Sequence, residues 1–241
     1  GDSFKVFVTD LPEAESLNHL ASPLNQPHTI LGTATTRLVY DLFAYHRTKA
    51  QPNPQPAVVY TMARETHEAA LQGGQTPIQH SFSYSDGFGR EIQKKIQAEP
   101  EKINGVPGPP RWVGSGWTIY NNKGKPVRQY EPFFSATHLF EFGREVGVSP
   151  VLFYDPVERV IATLHPNHTY EKVVFDPWKQ VTYDVNDTVA AQGLIETGDP
   201  RTDPDIRGYV RTILPPNPLR GKPGTPTARA APWGRKSGTP P

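Results

Sequence analysis

The spacing in this 241-residue chain that most resembles a metal site is His165-Pro-Asn-His168, with two imidazoles three residues apart. A zinc centre takes three or four protein ligands. No further ligand stands at motif spacing, so a turn that tolerates His and Asn accounts for the string. His67-Glu68 lacks the second histidine of the zinc-protease helix motif. Acids cluster at Asp184-Val-Asn-Asp187 and at Asp199, Asp203 and Asp205. Calcium would suit such groups, but neither cluster follows the Asp-x-Asp-x-Asp-Gly loop with its later Glu. Asp-Pro pairs open turns, and the acids read as turn residues. There is no Gly-x-Ser-x-Gly elbow and no phosphate-cradling Gly-rich loop followed by Lys-Ser or Lys-Thr. The absence of cysteine excludes thiolate nucleophiles, thiolate metal sites and disulfides. The expectation is a chain with no catalytic residue, no metal and no cofactor.

Aromatic rings offer a different chemistry. Trp112, Trp117, Trp178, Tyr120, Tyr154 and Phe175 could stack on sugar faces, or pack between neighbouring strands as cross-strand pairs. The elements that position them read as β. Proline (27) and glycine (20) punctuate the chain too often for a coiled coil or helical bundle. No apolar run approaches the length of a membrane-spanning helix. The stretch from Pro215 to Pro241 holds five basic residues and no acid, leaving 20 basic against 24 acidic residues elsewhere. That tail reads as disordered, since it has little apolar surface to bury. The body carries no basic run interleaved with aromatics, so nucleic acid is not an expected partner. The chain starts at Gly1 and its one methionine is Met62, which reads as a piece cut from a longer protein.

Extended runs are expected over Arg37–Tyr45 and Ala57–Thr66, where β-branched and aromatic residues gather. Phe82 and Tyr84 alternate with Ser81 and Ser83; beyond the Ser85-Asp-Gly-Phe-Gly89 turn, Ile92, Ile96 and Ala98 share one parity against Gln93, Lys95 and Gln97. Two such runs around a Gly-containing loop predict a hairpin. The design recurs at Trp117–Tyr120 with Lys125–Tyr130, at Val151–Tyr154 with Arg159–Leu164, and at Thr169–Phe175 with Val181–Val185. One short helix is expected near 135–146, weakened by Gly143.

The turns themselves form an irregular repeat: Tyr84-x-Asp86-Gly-Phe-Gly89-Arg90, Tyr120-Asn121-Asn-Lys-Gly124-Lys125, Tyr154-Asp155-Pro-Val-Glu-Arg159 and Phe175-Asp176-Pro-Trp-Lys179. An aromatic ends one strand, an Asx residue opens the turn by bonding backbone two residues on, and a basic residue starts the next strand. Glycine supplies the positive φ of the tight turn. Glu158 stands where the repeat prefers Gly, which puts the tight turn there in question. Hairpins of this kind must stack on one another to bury a face.

These units resemble the YD repeats of the RHS (rearrangement hot spot) family. Three longer strings, Tyr84 to Pro100, Arg111 to Ser135 and Leu164 to Tyr170, resemble the C-terminal half of the SpvB-like B component of insecticidal toxin complexes. The resemblance runs from about Leu31 to Tyr209 and ends near Ile213. It implies an all-β fold, an irregular repeat of antiparallel hairpins cut from a hollow RHS shell. It divides the chain into a lead-in at 1–30, the repeat region at 31–213 and the tail at 214–241. It further implies a non-catalytic role in enclosing a cytotoxic payload. The partners would be a toxin-complex C component and, through the rest of the B component, the A-component pore. The protein would be secreted as part of that complex after a cytoplasmic stage, without inserting in a membrane itself. Glu99-Pro-Glu101 resembles the paired glutamates of ADP-ribosyltransferases, which SpvB-like proteins can carry elsewhere, but no companion Ser-Thr-Ser string is present. Asp203-Pro-Asp-Ile-Arg-Gly208 only loosely resembles the self-cleavage signature of C components. A glycan-binding β module and an ADP-ribosyltransferase remain the alternative functions.

Overall fold

A computed structural model describes residues 7–71, 73–188 and 198–210. The chain forms two compact units, 1–198 and 199–241. The first carries antiparallel sheets with a few short helices. It opens with α1 (Glu13–Ala21) and α2 (Pro27–Leu31), then β1 (Thr36–Asp41), α3 (Ala44–Thr48) and β2 (Ala57–Arg64). After one 3-10 turn come β3 (Ile78–Ser85), β4 (Glu91–Ala98), β5 (Lys102–Ile103), β6 (Val106–Pro107) and β7 (Arg111–Gly114). The rest is β8 (Thr118–Tyr120), β9 (Pro126–Gln129), β10 (Phe133–Ser135), β11 (Val151–Tyr154), β12 (Val160–Leu164), β13 (Tyr170–Phe175) and β14 (Gln180–Tyr183). In the second unit, α4 (Arg207–Val210) is the one element among the described residues. The tail at 214–241 lies outside the described residues. No helix among them is long and apolar enough to cross a membrane.

Six strands form one sheet in the order β1-β2-β3-β4-β7-β10, four form a meander β11-β12-β13-β14, and β5-β6 and β8-β9 are separate ribbons. The period-2 alternation of strand side chains explains the larger sheet's inner face. On β2, Val58, Tyr60 and Met62 are buried while Val59 and Thr61 are only half-buried. Their partners on β3 continue the same face, Tyr60 opposite Phe82 and Val58 opposite Tyr84. Phe82 sits at the centre, its ring 4.4 Å from Tyr60 and 5.4 Å from Trp112. The offset-stacked and edge-on contacts are those that aromatic quadrupoles favour. Leu20 from α1, Ile30 and Leu31 from α2, and Phe140 complete the core.

Two expectations are corrected. The run 37–45 is not one strand: β1 stops at Asp41, whose carboxylate takes the Phe43 N–H at 3.2 Å and pairs with Arg47, and the chain turns into α3. No helix forms at 135–146. There, side chains take the amides that a helix would need for its own carbonyls. Ser135 Oγ accepts from Thr137 N (3.1 Å), Thr137 Oγ1 from Leu139 N (3.1 Å), Gln55 Oε1 from Phe140 N (3.1 Å) and Gln93 Oε1 from Glu141 N (3.0 Å). On β4 the polar parity faces inward: Gln93 and Lys95 are fully buried while Ile96 is 46% exposed. Gln93 bonds the Glu141 backbone with both ends of its amide, and Lys95 Nζ donates to the Thr137 carbonyl and to the Glu141 carboxylate. The buried polar ends of Gln93 and Lys95 are thereby paired, which is the condition for burying them at all. The lead-in, for which the sequence offered no element, carries α1 and α2.

Candidate functional site

The repeated turns are the one set of site residues that the structure draws together. In each, the Asx side chain replaces backbone partners that a tight turn leaves unmet. Asp86 Oδ1 accepts from Phe88 N (2.9 Å) and Arg90 N (3.0 Å), and Asp155 Oδ1 from Val157 N (3.0 Å) and Arg159 N (2.9 Å). Asn121 Oδ1 does the same for Lys123 and Lys125, and Asp176 Oδ1 for Trp178 and Lys179. The second carboxylate oxygen then holds the guanidinium in a two-toothed pair. Arg90 Nε and Nη2 lie 2.7 and 2.6 Å from Asp86 Oδ2, and Arg159 Nε and Nη2 2.8 and 2.7 Å from Asp155 Oδ2. Burial would raise both carboxyls, but the bonds from the arginine side chain and turn backbone outweigh it and hold each below the usual aspartate range.

Each corner also reaches the next. The Arg90 guanidinium lies 4.6 Å from the Tyr120 ring centre, and Tyr120 Oη donates to the Glu91 carbonyl at 2.7 Å. From the second corner, Lys123 Nζ donates to the Pro156 carbonyl (2.6 Å) and Lys125 Nζ lies 3.1 Å from the Glu158 carboxylate. Tyr154 Oη returns a bond to the Pro126 carbonyl at 2.8 Å. Arg159 then lies 4.0 Å from the centre of the Phe175 ring. The rule is regular: the aromatic of one corner caps the preceding corner's cation or the first carbonyl beyond it. The corners thus form a column that ties the β8-β9 ribbon to the β3-β4 hairpin on one side and to the four-stranded sheet on the other.

Gly89 (φ +75°) and Gly124 (φ +82°) occupy the left-handed position that closes each turn. Glu158 holds the same place at φ +69°, so the tight turn survives without glycine. A left-handed non-glycine residue costs roughly 1 kcal/mol, which the ion pair with Lys125 partly offsets. Tyr84, grouped with the other aromatics by sequence, is not their equivalent. It stands two residues before Asp86, whereas Tyr120, Tyr154 and Phe175 stand one residue before their Asx. One residue of offset turns a strand side chain to the other face, so Tyr84 is buried and bonds the His138 carbonyl at 2.7 Å.

His165-Pro-Asn-His168 is a fifth corner. His165 N donates to Thr169 O (2.8 Å) and His168 N to His165 O (3.0 Å), the pattern of the other turns, and His168 sits at φ +70°. Proline at the second position, shared with Asp155-Pro156 and Asp176-Pro177, was the available signal. Asp184 Oδ1 caps Asn186 and Asp187, Asp199 caps Arg201, and Asp203 caps Asp205, all as turn formers. Among the described residues no group of three metal-ligating side chains occurs. Glu99 and Glu101 are exposed between β4 and β5, where the Glu99 carbonyl accepts from Arg111 Nε (2.7 Å) and the Glu101 carboxylate lies 3.7 Å from Arg111 Nη1. His67 precedes the 3-10 turn, and its neighbour Glu68 pairs with Arg64. Of the tryptophans, Trp112 is buried and Trp117 packs on Phe140 and Phe142, while Trp178 is 94% exposed.

No family model matches the chain, and no curated protein does. Solved structures do. A TcdB2-TccC3 structure aligns with 70% of this chain at 23% identity and a TM-score of 0.52. The pore of the Photorhabdus luminescens Tc holotoxin aligns with 75% at 23% identity and a TM-score of 0.49. The chain spans only 9% and 10% of those respective chains. This chain is therefore similar in fold to a short stretch of TcdB2-TccC3.

Proposed function

We propose that this chain is a non-catalytic section of wall from the RHS shell of a toxin-complex B component, and that it helps enclose a cytotoxic polypeptide before delivery. The observation that carries this reading is the column of corners, in which each turn is fastened to the next by ring, cation and carbonyl. A catalytic centre instead gathers perturbed groups around a cleft, whereas here the shifted aspartates are used up in turns. The fold likeness to part of TcdB2-TccC3 supports the reading. Its partners would be a C component completing the shell and, through the remainder of the B component, the A-component pore, all in a secreted complex. Cryo-electron microscopy of the full-length protein with its C partner is expected to give a closed hollow body with these corners in one continuous wall. A solid particle with residues 84–179 at its centre would overturn the proposal.

Trp178, almost wholly exposed at the tip of the fourth corner, favours a second reading as a glycan-binding module. Glycan-array binding that disappears in Trp178→Ala with the fold intact would establish it. The non-enzymatic part of the proposal is tested by screening ADP-ribosyl transfer and metal-dependent hydrolysis in Glu99→Gln, Glu101→Gln and His168→Ala. An activity lost in any of these variants would refute it.

A further inference from the structure

Three imidazoles line the seam where α1 and α2 meet the six-stranded sheet. His80 on β3 is 4% exposed, its ring stacked 5.9 Å from that of Tyr60, whose hydroxyl lies 2.5 Å from His80 Nδ1 and 3.3 Å from the Pro23 carbonyl. His19 on α1 is 6% exposed and lies 5.4 Å from the same Tyr60 ring, and its Nε2 has no hydrogen-bond partner among the described residues. His138, from the loop after β10, bonds the Leu20 carbonyl on α1 through Nε2 at 2.9 Å and lies 4.9 Å from Phe82 and 5.6 Å from Trp112. One aromatic layer is thus shared by three elements, each contributing a titratable ring.

We propose that these histidines form an acid-operated latch, in which protonation of His80 and His19 frees the α1–α2 layer from the aromatic face of the sheet while the corner column holds. The charges around the seam give the latch its direction. His28 from α2 and His19 from α1 face His80, Arg37 from β1 and Glu15 from α1 face His19, and Lys95 from β4 faces His138. Of these only Glu15 is acidic, and it is exposed. Burial first, then His19 and His28, push His80 down to about 4. Burial first, then Arg37, lower His19, with Glu15 opposing. Burial and Lys95 likewise lower His138, against the Leu20 bond. A proton therefore binds more tightly once the seam has opened, and acid favours the opened state. A cleft of about 230 Å³ lined by Leu17, Leu20, Phe82 and His138 lies between α1 and the sheet, at the His138 end of this aromatic layer. The corners respond oppositely, because Asp86 and Asp155 stay ionised further into acid than free aspartates. The latch does not depend on the wall proposal.

Hydrogen–deuterium exchange of the full chain, corrected for intrinsic rates, tests this at about pH 7.5 and about pH 5, a window that spans histidine titration. Amides of residues 13–31 are expected to lose about tenfold in protection at the lower pH while those of residues 86–90, 121–125 and 155–159 keep theirs. The double variant His19→Gln/His80→Gln is expected to lose most of that difference. An unchanged α1–α2 layer, a uniform loss across the chain, or an undiminished loss in the double variant would overturn the latch. Should the double variant not fold, proton NMR of the parent protein decides: a His80 ring titrating near its ordinary 6.5 refutes the proposal, and one titrating well below supports it.

Discussion

The guanidinium of Arg90 is held twice over, gripped from one side by Asp86 and covered 4.6 Å away by the ring of Tyr120, thirty residues further along the chain. The same ring anchors itself through its hydroxyl to Glu91, the residue after Arg90. One corner is thus locked by its successor, and the successor by the backbone of its predecessor.

This relation predicts energetic coupling. Arg90→Ala should destabilise the protein by about 1–2 kcal/mol, through the charged bonds to Asp86 and the lost stacking. Tyr120→Ala should do the same by a similar amount. A double-mutant cycle read from denaturant midpoints should then give a coupling of about 0.5–1 kcal/mol. Strictly additive effects would mean that the corners are neighbours without being joined.

The third corner predicts a mutation that stabilises. At φ +69°, Glu158 is strained where Gly89 and Gly124 are not. Glu158→Gly should relieve roughly 1 kcal/mol of strain and forfeit a partly exposed ion pair worth less than that, for a net gain of a few tenths. Gly124→Ala should lose about 1–2 kcal/mol, since φ is +82° there and a Cβ would stand 3.2 Å from Arg90 Nη1. Thermal midpoints shifting in opposite directions for the two variants check both halves.

These local features were legible in sequence because an Asx residue, a left-handed position and a basic residue lie within five positions of each other. The hairpins followed from the same turns. What escaped was set by distant partners. The two parities of β4 were legible, but which of them faces inward was not: the groups that satisfy Gln93 and Lys95 lie 48 and 46 residues further on, in a loop whose own amides are taken by Gln55 and Gln93. The helix expected at 135–146 failed for that reason, and no window of sequence contains both halves of the exchange. Tyr84 was grouped with aromatics that stand one residue nearer their Asx, and hairpin parity converts that offset into the opposite face.

Lys95 tests whether that inward polar face is structural. Its side chain is fully buried between Glu141 and the Phe133 ring, 4.9 Å from the ring centre. Lys95→Ala should destabilise by about 3–5 kcal/mol, by stranding a carboxylate and the Thr137 carbonyl and opening a void. The double change Lys95→Met/Glu141→Gln should recover most of that loss, because it removes both charges and keeps the volume. If Lys95→Ala changes stability by less than 1 kcal/mol, roughly the level of a surface substitution, the burial of this pair is wrong.

Acid stability carries the last prediction, and its sign follows from the histidine. His80 titrates at about 4 in the folded chain against an ordinary 6.5, so folding is fully supported above about pH 6.5. As pH falls from there towards 4, the unfolded chain takes up a proton that the folded chain refuses, and about 3 kcal/mol of stability drains away. Below that window His80 contributes nothing further, and the depressed carboxyls of Asp86 and Asp155 take over, their support present above the unfolded aspartate value near 3.8 and lost only as the corners are protonated. Urea unfolding of the parent chain at intervals across this range should therefore show two descending limbs. In His80→Gln, where the amide can still accept the Tyr60 hydroxyl, the upper limb should flatten while the lower one stays. An identical upper limb in parent and variant would place the acid sensitivity elsewhere.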